Sequence, residues 1–501
     1  MQTNKKEIMK SKILLSIFVA AAGLCSCESF SEMNTNPNSP VEVPAQLLLP
    51  KVCQDAFTRS TDGMYADKMV IQTDGHSEDQ FFEWDRGSFD TYNNELLQLE
   101  KMREEAERTG DEAYMPIYKF LRAYHFYELT LRFGDIPYSE ALKGQSEGNY
   151  TPKYDTQEEV FAGILDDLAS AEEYLAATAN GVTVEGDIIY NGNLQQWRKL
   201  INSFHLKVLM TLSHKTTVGN HNVKQEFAEV AKLPLMESNA DNGQLEYLDQ
   251  EGNRYPQFNA QWSGYYMDKT YVDRMAARRD PRLFLFCLPT TEASEAGKEI
   301  DDFTAYAGGD PTVPYGDNIT LVSKGRISQI NSRFRLDPTE EPTMLMGYAE
   351  LQQVLAEAVV RGWIQGDAKQ YYENGVKASF QFYETYATEY SQYVTQEAAA
   401  EYLTNDLVRF DDNLTDEQKI ERIIFQKYCV SFYQGGWDPY FENLRTGYPG
   451  FAHLPENPIP YRWMYPDTEY RYNTANVEEA ITRQFGANND RITAQPWWLK
   501  D

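Results

Sequence analysis

Residues 347–383 constrain the fold more than any other stretch. The run GYAELQQVLAEAVVRGW places Leu351, Leu355, Ala358 and Val359 on one stripe at helical spacing. A short Gly-containing turn follows, and DAKQYYENGVKASFQFY then opens a second amphipathic helix, so the segment reads as a helical hairpin. Helical periodicity also dominates elsewhere, over roughly 44–60, 90–108, 112–133, 156–177, 193–214, 223–231, 267–278, 343–364, 367–386, 395–403 and 415–433. Strand alternation is scarce. The expected class is therefore all-α. At 501 residues the length allows two or three domains, but a single helical array would also absorb it.

The hairpin resembles a tetratricopeptide repeat in its spacing, with Leu355 and Ala356 in the first helix and Ala368, Tyr372 and Gly375 in the second. Small residues are needed where two helices cross closely, and a large aromatic fills the gap beside them. Thr415 and Gln418 make a capping box ahead of KIERIIFQKYCVSF, whose Ile420, Ile423, Ile424 and Phe432 recur at helical spacing. Two long insertions interrupt this pattern, 232–342 and the aromatic, Pro-rich tail 435–501. Loops of such length are functional or disordered, and their aromatic content argues for ordered and functional.

The amino terminus carries an address. Lys5, Lys6, Lys10 and Lys12 precede the apolar run Ile13 to Leu24, the pattern of a secretory signal peptide opening at Met1 or Met9. Spanning a bilayer core takes about 20 apolar residues, so this shorter run is expected to be cleaved. Leu24-Cys25-Ser26-Cys27 resembles a bacterial lipobox, with an aliphatic residue at minus three and a small one at minus one. The expectation is cleavage of 1–26, acylation of Cys27 (palmitate among the chains), an extended tether over 27–43, and one binding domain over 44–501. Cleavage removes four lysines and Glu7, moving the formal charge from −30 to −33. Such a field repels phosphate backbones and anionic head groups, excluding nucleic acid as a partner and leaving the lipid as the anchor.

Cys53, Cys287 and Cys429 remain, odd in number and far apart, and read as buried free thiols. No G-x-S-x-G, H-E-x-x-H, phosphate loop or dinucleotide turn occurs, and no enzymatic role is expected. Acidic pairs such as Asp166/Asp167 and Asp411/Asp412 read as structural or solvated among 76 acidic residues. The loop Asp74-Gly75-His76-Ser77-Glu78-Asp79 gathers carboxylates that could hold a calcium ion, but lacks the ligand spacing of an EF-hand, and no cofactor is expected. Trp197, Trp363 and Trp437 lie in or beside helical segments and read as core. Sugar binding needs a flat aromatic face with polar groups nearby. The best clusters are Phe81-Phe82-Glu83-Trp84-Asp85 and Gln261-Trp262-Ser263-Gly264-Tyr265-Tyr266, which make Phe82, Trp84, Trp262, Tyr265 and Tyr266 the expected ligand-binding residues.

Along nearly the whole chain the sequence resembles the SusD/RagB family of outer-membrane nutrient-binding lipoproteins, in its SusD-like branch. The matching stretches are MNTNPNSP at 33–40 after Cys27, LRAYHFYELTLRFGDIPYSEAL at 121–142, TPKYDTQEEVFAGILDDL at 151–168 and WRKLINSFHLKVLM at 197–210. They continue with RRDPRL at 278–283, AEAVVRGW at 356–363, GWDPYFENLRTGYP at 436–449, IPYRWMYPDTEYRYN at 459–473 and the terminal PWWLKD. Asn443-Leu444 before Arg445 departs from the second basic residue of many relatives. The resemblance implies tetratricopeptide-like hairpins packed against a loop-rich, mostly irregular or helical half. It also implies a lipid-anchored lid facing the cell surface, on a SusC-like TonB-dependent transporter to which it delivers an oligosaccharide or, in other members, a peptide. A helical polysaccharide hydrolase or lyase is the rival from another class. Arg122 and the run Phe133 to Pro137 form the firmest motif and read as structural, a helix stopped at Gly134 with Pro137 fixing the exit.

Overall fold

The computed structural model describes residues 42–59 and 61–500. Cys27 and the expected signal segment lie outside the described residues. Ala45–Asp501 forms one compact unit. Its longer helices are α1 Ala45–Phe57, α2 Leu97–Thr109, α3 Met115–Phe133, α4 Gln157–Ala177, α5 Leu194–Thr211, α6 Val223–Val230, α7 Lys269–Ala277, α8 Tyr348–Val360, α9 Ala368–Tyr386, α10 Asp416–Val430, α11 Asp438–Thr446 and α12 Thr474–Phe485. The all-α expectation holds, since strands are short two-stranded pairs.

Local chemistry sets the helix ends. Thr156 with Glu159 closes a capping box on α4, and Thr415 with Gln418 closes the expected one on α10. Gly134 ends α3 with φ at 90°, and its N–H donates to the Thr130 carbonyl. The structure begins the 343–364 element differently from expectation. Thr343–Met346 is a strand, β4, antiparallel to β2 (Gly243–Leu245), and the helix starts only after extended Gly347.

The helices pack as successive hairpins, α3 on α4, α4 on α5, and α8 on both α9 and α10, while α5 also touches α8. The α8/α9 pair is the hairpin expected from the sequence. Leu351, Val354, Leu355 and Ala356 are buried, and a Cβ on Gly375 would lie 2.3 Å from Gln353 Nε2 and 2.9 Å from the Ala349 carbonyl. Tyr372 fills the adjacent space, fully buried, its hydroxyl donating to the Val408 carbonyl at 2.9 Å.

The 435–501 tail is ordered, as expected, but it is partly helical and not only loop. It contains α11 and α12, and its Trp437, Tyr440, Trp463, Tyr465 and Trp498 are core residues. Ion pairs tie it to the helices. Asp438 at the start of α11 accepts from Lys207 of α5 at 2.9 Å and Arg59 at 3.1 Å, and Arg445 reaches both oxygens of Glu357 on α8 at 2.6 and 2.8 Å. The 232–342 insertion is pinned by a fully buried pair in which Arg282 donates to both oxygens of Asp280, at 2.9 and 2.6 Å, and to Ser379 of α9 and Gln426 of α10. Cys53, Cys287 and Cys429 are buried free thiols.

Candidate functional site

The aromatic cluster 261–266 expected from the sequence ends in a strand pair that ties it to residues 70–72. β1 (Val70–Gln72) runs antiparallel to β3 (Tyr265–Met267), with Ile71 opposite Tyr266 and Gln72 opposite Tyr265. Beyond the strands the Thr73 N–H donates to the Gly264 carbonyl at 2.9 Å, and the Ser263 hydroxyl donates to Asp74. Gly264 has φ at 72°, and a Cβ there would fall 2.1 Å from Gln72 Oε1 and 2.3 Å from Asp74 Oδ1. Only glycine lets the two segments meet so closely.

The expected residues then separate. Trp262, Tyr265 and Tyr266 are half-buried. The indole of Trp262 stacks on Tyr433 at 6.2 Å and 27°, with the Arg335 guanidinium 5.9 Å from its ring, and Tyr265 meets Tyr65 edge-on at 5.0 Å. Tyr266 accepts from Gln329 Nε2 at 3.4 Å. Part of each ring thus stays accessible beside Gln72, Asp74, Gln257 and Arg335, which is the arrangement a pyranose face or a peptide side chain requires. Burial, then the neighbouring Tyr265, raises the Tyr65 phenol above its ordinary range, so it stays protonated.

Phe82 and Trp84 correct the sequence expectation. They are 2% and 5% exposed, and their faces are taken by protein. Trp84 stacks on Trp463 at 4.9 Å and 13°, meets Trp437 edge-on at 5.7 Å, and donates through Nε1 to the Arg462 carbonyl at 3.2 Å. Phe82 lies under the Lys68 ammonium, 3.9 Å from its ring centre. Both residues pack inside the protein, with ring faces that are not open to a ligand.

Lys68, Phe82, Asn259 and Tyr433, none of them glycine, all have positive φ, between 57° and 59°. Tyr433 carries Trp262 and the Asn259 N–H donates to the carbonyl of Arg335, so these two border the platform, while Lys68 and Phe82 touch each other. Such backbone costs of order 1–3 kcal/mol per residue and persists where the surroundings dictate it, often beneath binding surfaces. Burial draws the Lys68 ammonium down, and burial pushes the Asp268 carboxyl up. Tyr433 Oη is buried with no hydrogen-bond partner.

The 74–79 loop is committed to other work. Ser77 caps the turn Glu78–Phe81, His76 stacks on Phe81 at 4.9 Å and pairs with Glu83 at 2.6 Å, and Asp74 holds Ser263. Among the described residues no three His, Cys, Asp or Glu side chains converge as a metal site. Trp197 and Trp437 are core, and Trp363 is half-buried against Phe227. Asp167 pairs with Arg122, and Asp411 pairs with Arg409 and caps Asn413. Sequence reasoning did not find Tyr65, Gln72, Arg335 and Tyr433. It also missed a polar groove of about 870 Å³ lined by Lys51, Gln54, Gln196, Gln244, Glu246 and Tyr386. None of the platform aromatics lines that groove. Asn239, Asn242, Gln244 and Tyr247, close together in the sequence, are its visible sign.

The family model for SusD-like starch-binding proteins that associate with the outer membrane matches residues 39–466. A SusD homologue of Bacteroides fragilis is 60% identical, with a TM-score of 0.88 over 92% of this chain and 100% of its own. An outer-membrane protein of Bacteroides vulgatus, assigned to nutrient binding, is 51% identical, with a TM-score of 0.88 over 91% of this chain and 100% of its own. A second SusD homologue of B. fragilis is 32% identical, with a TM-score of 0.84 over 91% of this chain and 100% of its own. No curated protein matches the chain.

Proposed function

The chain belongs to the SusD-like family of outer-membrane nutrient-binding proteins, and from that premise we propose that it captures a glycan at the cell surface without altering it and passes it to a SusC-like TonB-dependent transporter. The observation that carries the reading is the β1/β3 pairing, which assembles Trp262, Tyr265 and Tyr65 with Gln72, Asp74 and Arg335 into one aromatic, hydrogen-bonding platform. Acyl chains on Cys27 hold the domain to the membrane, and 27–43 acts as its tether. No nucleic acid and no cofactor takes part.

The test is titration of the mature chain with a panel of neutral oligosaccharides and peptides, followed by assay of the mixtures for new reducing ends. Saturable binding of at least one glycan, weakened by Trp262→Ala, with the glycan recovered intact, is the expected result. Hits confined to peptides overturn the glycan reading, cleavage overturns the non-enzymatic one, and glycan binding indifferent to Trp262→Ala overturns the site. Co-purification of the chain with a transporter barrel, and mass spectrometry of Cys27, check the partner and the anchor.

A further inference from the structure

A smaller cleft of about 190 Å³ lies apart from the platform residues, among the end of α1, the turn before α2, one face of α3, and Gly436-Trp437. At about 30 Å³ per water it has room for about six, the size of a small molecule and not of a chain. α3 is buried on nearly every side, yet it presents His125, Glu128, Leu129 and Arg132 to this cleft at i, i+3, i+4 and i+7 spacing. Opposite them stands Glu95, in a π-helical turn over Tyr92–Leu96 that runs directly into α2. Single π turns inside helices recur at functional sites, because they trade backbone regularity for the placement of one side chain.

Two polar atoms on the wall are buried without a hydrogen-bond partner, and a neighbouring imidazole makes no hydrogen bond either. His125 is 6% exposed and makes no hydrogen bond among the described residues. Glu95 Oε2 is an unpaired buried acceptor, and Arg132 Nε is an unpaired buried donor, its Nη2 engaging Glu128 at 3.5 Å. Burial draws the His125 imidazole down to about 4, so at neutral pH it offers one N–H donor and one bare nitrogen acceptor. The second guanidinium, Arg59, is already spent on Tyr124, Asp438 and the carbonyls of Gln434 and Gly435. Asp55 is held by Lys51 and Glu128 by Arg132, which leaves the Glu95 carboxylate as the unpaired charge on the wall and disfavours an anion. Trp437, 6% exposed and packed against Trp84, Tyr440 and Trp463, closes one end of the cleft.

The geometry points to this cleft as a separate binding site for one neutral polyhydroxylated molecule of monosaccharide size. A hydroxyl both donates and accepts, so a single polyol can satisfy the Glu95 acceptor, the Arg132 donor and the amphoteric His125 at once. The inference does not rest on the platform. A single sugar binding here is a different event from the capture of an oligosaccharide at Trp262.

The experiment titrates the mature chain, carrying ¹³C-labelled histidine, with D-glucose, D-galactose, D-mannose and glycerol, and separately with glycine and inorganic phosphate. The signal that disappears in His125→Phe identifies the probe. At least one hexose should shift that signal saturably, with a Kd of about 1–10 mM. Glu95→Gln, which keeps shape and removes charge, should weaken the hexose by about tenfold, and Trp262→Ala should leave it unchanged. The site is overturned if no hexose moves the His125 signal, if glycine or phosphate is preferred, or if Glu95→Gln leaves hexose affinity as it was. Loss of hexose binding in Trp262→Ala would equally overturn it, by merging the cleft with the platform.

Discussion

Gly264→Ala isolates the platform from the rest of the fold. At φ of 72° an L-residue costs about 1–2 kcal/mol relative to glycine. The added Cβ would overlap Gln72 Oε1 and Asp74 Oδ1 at 2.1 and 2.3 Å, and these side-chain ends must swing away. Moving Asp74 breaks its bond from Ser263, a further loss of about 0.5–1.5 kcal/mol. The combined cost is about 1.5–3.5 kcal/mol, which bounds the rise in Kd at about 10- to 400-fold when the binding-competent turn bears all of it. Spread over an unfolding entropy near 2.1 cal/mol/K per residue, the same energy moves Tm by only about 2–4 °C in a chain this long. Calorimetric titration with a glycan that binds the wild type, paired with thermal unfolding, measures both. Gly264→Asn, which tolerates left-handed backbone better, should lose less affinity. Affinity within about twofold of wild type would show that the turn does not shape the site. A Tm drop beyond about 8 °C would show that the turn belongs to the core.

Trp84→Ala removes a ring packed on Trp463 and Trp437 and should cost about 3–5 kcal/mol in urea unfolding, whereas Trp262→Ala should alter stability far less and glycan affinity far more. Gly375→Ala forces α8 and α9 apart against Gln353 and the Ala349 carbonyl and should cost about 1–3 kcal/mol, read as a lower urea midpoint at unchanged slope. Arg282→Met leaves Asp280 buried without its charge partner and should cost about 3–5 kcal/mol, much of it regained in the double variant with Asp280→Leu; a double variant as weak as the single would refute the pairing argument. Glu226 bridges His205 at 2.9 Å and His221 at 2.7 Å. Burial pushes its carboxyl up, but hydrogen bonds from the two histidines outweigh that and hold it near 2, while the bond to Glu226 raises His221 above its usual value. The Glu226 contribution is complete above its unfolded pKa of about 4.3 and lost as pH falls toward 2. The His221 contribution is complete below about 6.5 and lost as pH rises through its raised value. The Tm difference between wild type and Glu226→Gln should therefore be widest between about pH 4.5 and 6.5 and narrow on both sides.

The helical half was legible because its signals are local. The α8/α9 stripe, the Thr415/Gln418 box and the small residue at Gly375 each depend on neighbours within one or two turns, and each stands where the sequence places it. The platform was half legible. Its aromatic content was visible, but which rings face outward is decided by distant contacts. Trp84 and Trp262 sit in similar aromatic and polar runs, and the difference between them is that Trp463 and the Arg462 carbonyl, near the far end of the chain, claim the first. β1 and β3 are three residues each, too short for alternation to register, and their pairing is non-local. The tail misled for the same reason. Its Pro and aromatic content matches a surface loop, yet Trp437, Tyr440, Trp463 and Trp498 fill space that the helices leave open.

The 190 Å³ cleft carries a different lesson, because its signal was local and still went unused. Within α3, Ile117, Phe120, Leu121, Phe126 and Leu131 mark a helix buried on nearly every side. In such a helix a stripe of His125, Glu128 and Arg132 has no solvent face to excuse it. Three polar side chains at i, i+3 and i+7 must either meet partners on a neighbouring element or border a cavity. The partners are incomplete, since Arg132 Nε goes unpaired and His125 makes no hydrogen bond. A polar stripe on an otherwise apolar helix is thus readable before any coordinates, and what the fold adds is the Glu95 π turn and Trp437 that close the space opposite it.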